Sequence, residues 1–333
     1  MDNIFNLTDA VYAILIAFFV CVVLLPAVIP MLRRLNFGQQ VRDDGPKTHL
    51  VKQGTPTMGG IAIVLAFVIA SLFFLPGNGD GIAVVLATVG FGIVGFADDY
   101  IKKVMKRSLG LKAKQKLLFQ LLLSGGFLAY MFLSGFEMGI YIPFVDYMWY
   151  PPLWLYIPFY FFVMLGIVNA VNLTDGVDGL CSGVTVLVTA FFMFVMMALD
   201  SSLLPIAGAA VGALMAFLLF NSHPAKIFMG DTGSFALGGF IITSAVLLQM
   251  PLVLGIVGII YVVQNVSVII QVNWFKFTKR RYGEGRRVFK MAPIHHHFEL
   301  SGMKETQVVA MFYVITALAC LVGFLAVRGL FIS

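Results

Sequence analysis

Residues Ala10 to Leu32, AVYAILIAFFVCVVLLPAVIPML, contain no charged side chain, and this run decides the fold class. It meets the ~20 apolar residues that a helix needs to cross a bilayer. Nine more apolar stretches follow, at about 57–75, 82–97, 117–134, 153–171, 183–199, 203–220, 235–249, 251–275 and 306–327. Several are short for a perpendicular span, so they borrow flanking residues or thin the bilayer locally. The composition agrees: of 333 residues, 60% are hydrophobic and 11% charged, far from a soluble average. The runs are continuous rather than alternating, which excludes a β-barrel. The expectation is an all-α polytopic protein of about ten transmembrane helices in a lipid bilayer. Residues 1–333 read as a single integral membrane domain, because no loop is long enough to fold alone. Gly255 and Gly258 inside 251–275 predict a bend there.

The charges set the orientation. Met1 to Ala10 carries Asp2 and Asp9 but no Lys or Arg, which places the N-terminus outside. The inner loops then hold Arg33, Arg34, Arg42, Lys47 and Lys52; Lys102, Lys103, Lys106, Arg107, Lys112, Lys114 and Lys116; Lys226; and Lys276, Lys279, Arg280, Arg281, Arg286, Arg287, Lys290 and Lys304. That is 21 of the 22 basic residues, with only Arg328 outside and both termini on the outer face. The net charge of +6 therefore reads as topology and as preparation for an anionic inner-face substrate, not for nucleic acid. No cationic n-region opens the chain, so no cleavable signal peptide is expected. Cys21, Cys181 and Cys320 are scattered without metal-ligand spacing and read as small apolar fillers.

Against this background the carboxylates are informative. Charge at membrane depth is costly and usually faces a partner or a site. Asp98 and Asp99 close the third apolar stretch; being adjacent on a helix they point about 100° apart, so one can face a cation while the other pairs with a lysine of the next loop. Asn172 to Leu180, NLTDGVDGL, brings Asp175 and Asp178 three residues apart, with Gly176 and Gly179 allowing close approach of a ligand. It lacks the ligand order of an EF-hand loop. Asn221 to Ser234, NSHPAKIFMGDTGS, sets Asp231 in a glycine-flanked turn before a helix start, where free amides suit anionic oxygens. Asp231 as a simple N-cap is the competing reading, and Phe228 is suited either to packing or to stacking on a flat ring.

Two further motifs complete the set. Met291 to Glu299, MAPIHHHFE, carries His295, His296 and His297. Three successive histidines cannot all face one ion, so they read as phosphate donors or a proton-transfer group. A zinc site shared with nearby acids is the alternative, though a second His/Cys pair at ligand spacing is lacking. Lys52 to Gly60, KQGTPTMGG, places Lys52 at the inner surface, and Gly59-Gly60 favours close helix packing.

These motifs together resemble the phospho-N-acetylmuramoyl-pentapeptide transferase family, a branch of the polyprenyl-phosphate N-acetylhexosamine-1-phosphate transferases. The resemblance covers 1–333. Lys52–Gly60, 172–180 and Ala292–Glu299 carry it most specifically, and the histidine run favours this branch over its relatives. It implies transfer of phospho-MurNAc-pentapeptide from UDP-MurNAc-pentapeptide to undecaprenyl phosphate, with release of UMP and a requirement for Mg²⁺. By similarity Asp231 is the leading metal ligand, with Asp98 and Asp99 beside it, and His295 joins these three as a catalytic residue. The resemblance leaves two routes open: Asp98 as base for direct attack, or Asp99 as nucleophile of a covalent intermediate. Asn172, Asp175, Asp178 and Asn221 are implied as substrate-side supports. Lys52 and Phe228 are implied at the uracil, and Lys114, Lys116, His296 and His297 at phosphates. A homodimer is the family expectation, and the bacterial inner membrane the expected location. Two alternatives stand beside it: a sibling transferase using UDP-GlcNAc, and a cation or proton transporter, which predicts acids at mid-span instead of at one surface.

Overall fold

The computed structural model describes residues 2–35, 52, 54–104 and 110–331. Arg42, Lys47, Lys106 and Arg107, counted above among the inner cations, and Gln53 of the Lys52–Gly60 motif lie outside the described residues. The described residues are mostly helical: α1 (Asp2–Arg34), α2 (Gly60–Ser71), α3 (Gly79–Val104), α4 (Ala113–Leu133), α5 (Leu153–Thr174), α6 (Leu180–Ala198), α7 (Leu204–Asn221), α8 (Gly230–Leu247), α9 (Pro251–Val257), α10 (Ile259–Tyr282), α11 (Ile294–Glu299) and α12 (Glu305–Ala326). The strands among the described residues form one antiparallel hairpin between α4 and α5. There β1 (Ile140–Ile142) pairs with β2 (Tyr147–Trp149), with Tyr141 opposite Met148.

The expected all-α polytopic architecture is observed, and each of the ten apolar stretches falls on a helix. Among the described residues eight helices are long and apolar enough to cross a bilayer. The pair α9 and α10, bent by 84°, passes the same test together and makes a ninth span if it crosses as one. The remaining stretch is the shorter apolar helix Gly60–Phe74. The bend falls at Gly258, where a side chain would come within 2.8 Å of the Leu254 carbonyl oxygen. The sequence predicted a break in this stretch, and the tight turn between α9 and α10 is its physical form. Beyond it α10 outruns the apolar boundary at 275, because Lys276 to Tyr282 continue the helix until Gly283 ends it in a left-handed conformation.

The helix α8 is the hub, with 89% of it buried, whereas the apolar stretches of α4 and α12 are only 28% buried. Without a hydrophobic drive between helices in lipid, close packing rests on small residues. A Cβ on Gly95 of α3 would lie 2.0 Å from the Asp231 carbonyl oxygen. One on Gly60 would lie 2.1 Å from the Gly233 nitrogen. Gly60 therefore does the packing its sequence suggested. The two contacts draw α2, α3 and the start of α8 together at one end of the bundle. Asp98 and Asp99 follow Gly95 by one turn, so the same contact carries both acids to Asp231.

Candidate active site

The helical phase predicted that Asp98 and Asp99 diverge, and they do. Asp98 is fully buried. Its Oδ1 accepts the backbone N–H of Leu111 at 2.7 Å, so the segment leading into α4 folds over it. Its Oδ2 lies 2.6 Å from Lys102 Nζ, one helical turn along, and 2.8 Å from Lys116 Nζ on α4. Asp99 turns the other way. Its Oδ2 accepts the Thr232 N–H at 2.9 Å and the Thr232 hydroxyl at 2.8 Å, supplying a partner for the N-terminus of α8.

Asp231, in the first turn of α8, completes the cluster. Its Oδ2 shares the same two ammonium groups, at 2.8 Å from Lys102 and 3.2 Å from Lys116. Its Oδ1 accepts Asn172 Nδ2 at 2.9 Å, and Asn172 also donates to Ser234 Oγ at 2.8 Å. Asp175 stands just past the end of α5, keeping a little open surface although protein encloses it, and accepts the backbone N–H of Gly230. Burial first, then the charges of Asp231 and Asp99, push its carboxyl up to about 7. Two carboxylate oxygens that one ammonium bridges are also within reach of one divalent cation. An all-oxygen set drawn from α3 and α8 suits Mg²⁺.

A second cluster lies beside the first. Lys52 Nζ is 2.7 Å from Asp178 Oδ1 and 2.5 Å from Glu305 Oε1, at the first turn of α12. Asp178 Oδ2 accepts the N–H of Ala225 at 3.0 Å and faces His223 Nδ1 at 3.1 Å. The ligand atoms of Asp178, His223 and Glu305 all lie within 4.8 Å of one another. That group includes a histidine nitrogen, whereas the Asp98, Asp99 and Asp231 set is all oxygen, so the latter fits magnesium better. Lys52 Nζ also lies 5.9 Å from the centre of the half-buried Phe228 ring. The strand-like pairing of Gly59 N–H with the Phe228 carbonyl, and of Phe228 N–H with that of Pro56, holds the two segments side by side.

The histidines divide. His295 is buried, donates Nδ1–H to Gln264 Oε1 at 3.0 Å, and abuts Gly176, where a Cβ would meet its Nε2 at 2.0 Å. It thus reaches the loop that carries Asp175. His296 pairs with Glu299 at 2.8 Å, and His297 Nδ1 accepts the Lys290 N–H at 3.2 Å; both contacts stay within their own loop. Asn221 is buried and structural in its contacts, accepting from Gly179 N–H and Ser182 and donating to the Ile227 carbonyl. Lys114 is exposed on the outside of α4, while Lys116 points in.

Sequence reasoning singled out neither Lys102 nor Glu305 nor Gln264 for a role. The position of Lys102 four residues after Asp98 was the available signal, since i and i+4 share a helix face. Lys52 and Glu305 meet across nearly the whole chain, and no local pattern announces that pair.

The comparisons with known proteins bear on this arrangement. The Glycosyl transferase family 4 model matches residues 81–249, and the Phospho-N-acetylmuramoyl-pentapeptide-transferase signature 1 matches residues 52–64. The chain is 46% identical to the phospho-N-acetylmuramoyl-pentapeptide-transferase of Clostridioides difficile, over 97% of this chain and 99% of that protein. The chain belongs to the phospho-N-acetylmuramoyl-pentapeptide-transferase family. The correspondingly named protein of Acetivibrio thermocellus is 47% identical over 97% of both chains, and that of Caldicellulosiruptor bescii 46% over 95% and 96%. The transferase signature at 52–64 coincides with the segment that packs Gly60 on Gly233 and begins at Lys52. The larger family match runs from α3 through α8 and so contains Asp98, Asp99, Asp175, Asp178 and Asp231.

Proposed function

We propose that this transferase moves phospho-MurNAc-pentapeptide from UDP-MurNAc-pentapeptide to undecaprenyl phosphate, yielding UMP and the lipid-linked diphospho-sugar. The observation that carries the reading is the Asp98–Asp231 pair sharing Lys102 and Lys116 at one end of the bundle, in a chain that resembles named transferases over nearly its full length.

The chemistry joins two anions. A lipid phosphate oxygen forms a bond to the β-phosphorus, and the bond from that phosphorus to the bridging oxygen breaks, so the electron pair leaves with UMP. Lys102 and Lys116 are flexible cations already gathered at the site, and they hold the phosphate oxygens of both partners against their repulsion. Asp231 with Asp98 would hold Mg²⁺, with Asp99 adjacent; when bound, the ion neutralises charge developing on the diphosphate. Asp98 accepts the proton of the attacking lipid phosphate when that group arrives protonated. Asp99 already gives one oxygen to two hydrogen bonds from Thr232. That engagement weakens it as a nucleophile and supports direct attack over a covalent intermediate. His295 gives its Nδ1–H to Gln264, so its Nε2, on the Gly176 side, donates to a phosphate oxygen only when the ring is an imidazolium. Lys52, Asp178 and Phe228 offer a charge, an acceptor and a ring face to the uridine. Asn172 orients Asp231, and Asp175 lies behind it.

The cation distribution supports a multi-pass protein of the bacterial inner membrane, with this site on the cytoplasmic side, both termini outside and a single domain over 1–333. The homodimer belongs to the same reading by family resemblance. In detergent with undecaprenyl phosphate and Mg²⁺, purified protein releases UMP from UDP-MurNAc-pentapeptide, and chelation abolishes release. Full turnover after chelation removes the metal from this account. UMP released preferentially from UDP-GlcNAc moves the chain to the sibling chemistry.

A further inference from the structure

The end of α10 is not used by this mechanism, and its chemistry is distinctive. Between Val266 and Tyr282 the helix is exposed on nearly every face, with only Ser267 and Thr278 buried. Its apolar run ends in Trp274 and Phe275, 44% and 39% exposed. Cations then begin: Lys276, Lys279, Arg280 and Arg281, with Phe277 and Tyr282 among them at 55% and 57% exposure. After Gly283 the chain folds back. Arg286 N–H donates to Thr278 Oγ1 at 2.8 Å, the Gly285 backbone lies on the Phe275 ring, and the Arg286 guanidinium sits 4.9 Å over Tyr282. Arg286 and Arg287 thereby join the same end. Residues 276–287 hold six cations and one acid, Glu284. Among the described residues none of the six is ion-paired with a carboxylate. Helix-end cations do complement the macrodipole, but one or two in the last turn suffice for that.

Exposed aromatic rings with polar tips at the edge of an apolar run, followed by unpaired cations, match the boundary between acyl chains and charged headgroups. We propose that residues 274–287 bind the headgroups of anionic phospholipids in the bulk membrane, distinct from the lipid substrate. The proposal rests on the functional reading only for the leaflet, the cytoplasmic one. Its consequence reaches the site through α10 itself. Gln264 holds His295, Ser267 Oγ accepts the Ile294 N–H at 3.1 Å, and Gln271 Oε1 accepts the N–H groups of Val288 and Phe289, each at 3.0 Å. A helix held at its far end by lipid keeps this row of contacts in place.

The test uses the full-length protein in phosphatidylcholine vesicles without undecaprenyl phosphate. The chain has three tryptophans, and Trp149→Phe with Trp154→Phe leaves Trp274 as the only tryptophan, excited selectively at the red edge where tyrosine does not absorb. Energy transfer is compared for dansyl-labelled phosphatidylglycerol and dansyl-labelled phosphatidylcholine. The expected result is preferential transfer to phosphatidylglycerol that salt suppresses. Each of Lys276→Gln, Lys279→Gln, Arg280→Gln and Arg281→Gln weakens it roughly fivefold, as about 1 kcal/mol per cation near an anionic surface implies. Arg33→Gln with Arg34→Gln, at the end of α1, leaves the preference intact. Equal transfer to both lipids overturns the proposal, as does equal loss in the α1 variant. A preference appearing only for added undecaprenyl phosphate assigns the segment to the substrate and also overturns it. None of these readings depends on turnover, so failure of the transferase assay is a separate result.

Discussion

A single oxygen of Asp99 accepts both the backbone N–H and the hydroxyl of Thr232, at 2.9 and 2.8 Å. One of two adjacent carboxylates is thus committed to the start of α8, and the other faces the lysines. Neighbours in sequence have separated roles because a helix turns them apart. Thr232→Ala removes one of the two bonds and costs about 1 kcal/mol, read as a fall of a few degrees in Tm. Its turnover stays well above that of Asp98→Asn, which falls on the order of 10²-fold or more. No phospho-sugar adduct accumulates on Asp99 in acid-quenched single turnovers; trapping one restores the covalent route.

Lys116 and Lys114 separate cleanly, because they lie two apart on α4 and face different ways. Lys116→Met loses the ammonium shared by Asp98 and Asp231, and kcat/KM falls on the order of 10²-fold. Lys114→Met stays near wild type. Equal losses in both variants mean that the 112–116 segment acts as a diffuse positive field.

Gly176 faces His295 without a side chain between them, and its backbone is not in the left-handed region, so alanine can adopt its backbone conformation. The added methyl collides with the imidazole at 2.0 Å. Gly176→Ala therefore displaces His295 and lowers turnover, while thermal unfolding shifts by far less than a misfolded bundle requires. Wild-type turnover in Gly176→Ala removes His295 from the site.

The acids and the fold were legible for one reason: burying charge and exposing apolar surface are both expensive in a membrane, so each marks its position. Apolar runs gave the helices, and acids at their ends gave Asp98, Asp99, Asp175 and Asp231. The bend at Gly258 was foreshadowed by glycines within a long apolar stretch. Pairings across the chain were not legible. Lys52 with Glu305 and His295 with Gln264 depend on which helices touch, and apolar helices carry little facing information. The histidine run shows the same limit, since only the packing of α11 against α10 separates His295 from His296 and His297.

Asp175 gives a pH signature in metal-free protein. An unfolded carboxyl titrates near 3.8, whereas the folded one is held up to about 7, so the folded state keeps a proton that the unfolded state has released. The stability linked to that proton is fully present below about pH 4 and is lost as pH rises to about 7, above which it no longer changes. Asp175→Asn flattens the decline of Tm between about pH 4 and pH 7. An unchanged slope in this variant assigns the decline to other groups.

The most direct measurement follows the lipid product. Purified protein with Mg²⁺ and undecaprenyl phosphate receives UDP-MurNAc-pentapeptide and UDP-GlcNAc together, and the lipid fraction is weighed by mass spectrometry. The account predicts undecaprenyl-diphospho-MurNAc-pentapeptide, stoichiometric with UMP, little of the GlcNAc product, and loss of both in Asp231→Asn. A lipid fraction carrying chiefly GlcNAc-phosphate, or no new lipid while Asp231→Asn behaves like wild type, contradicts it.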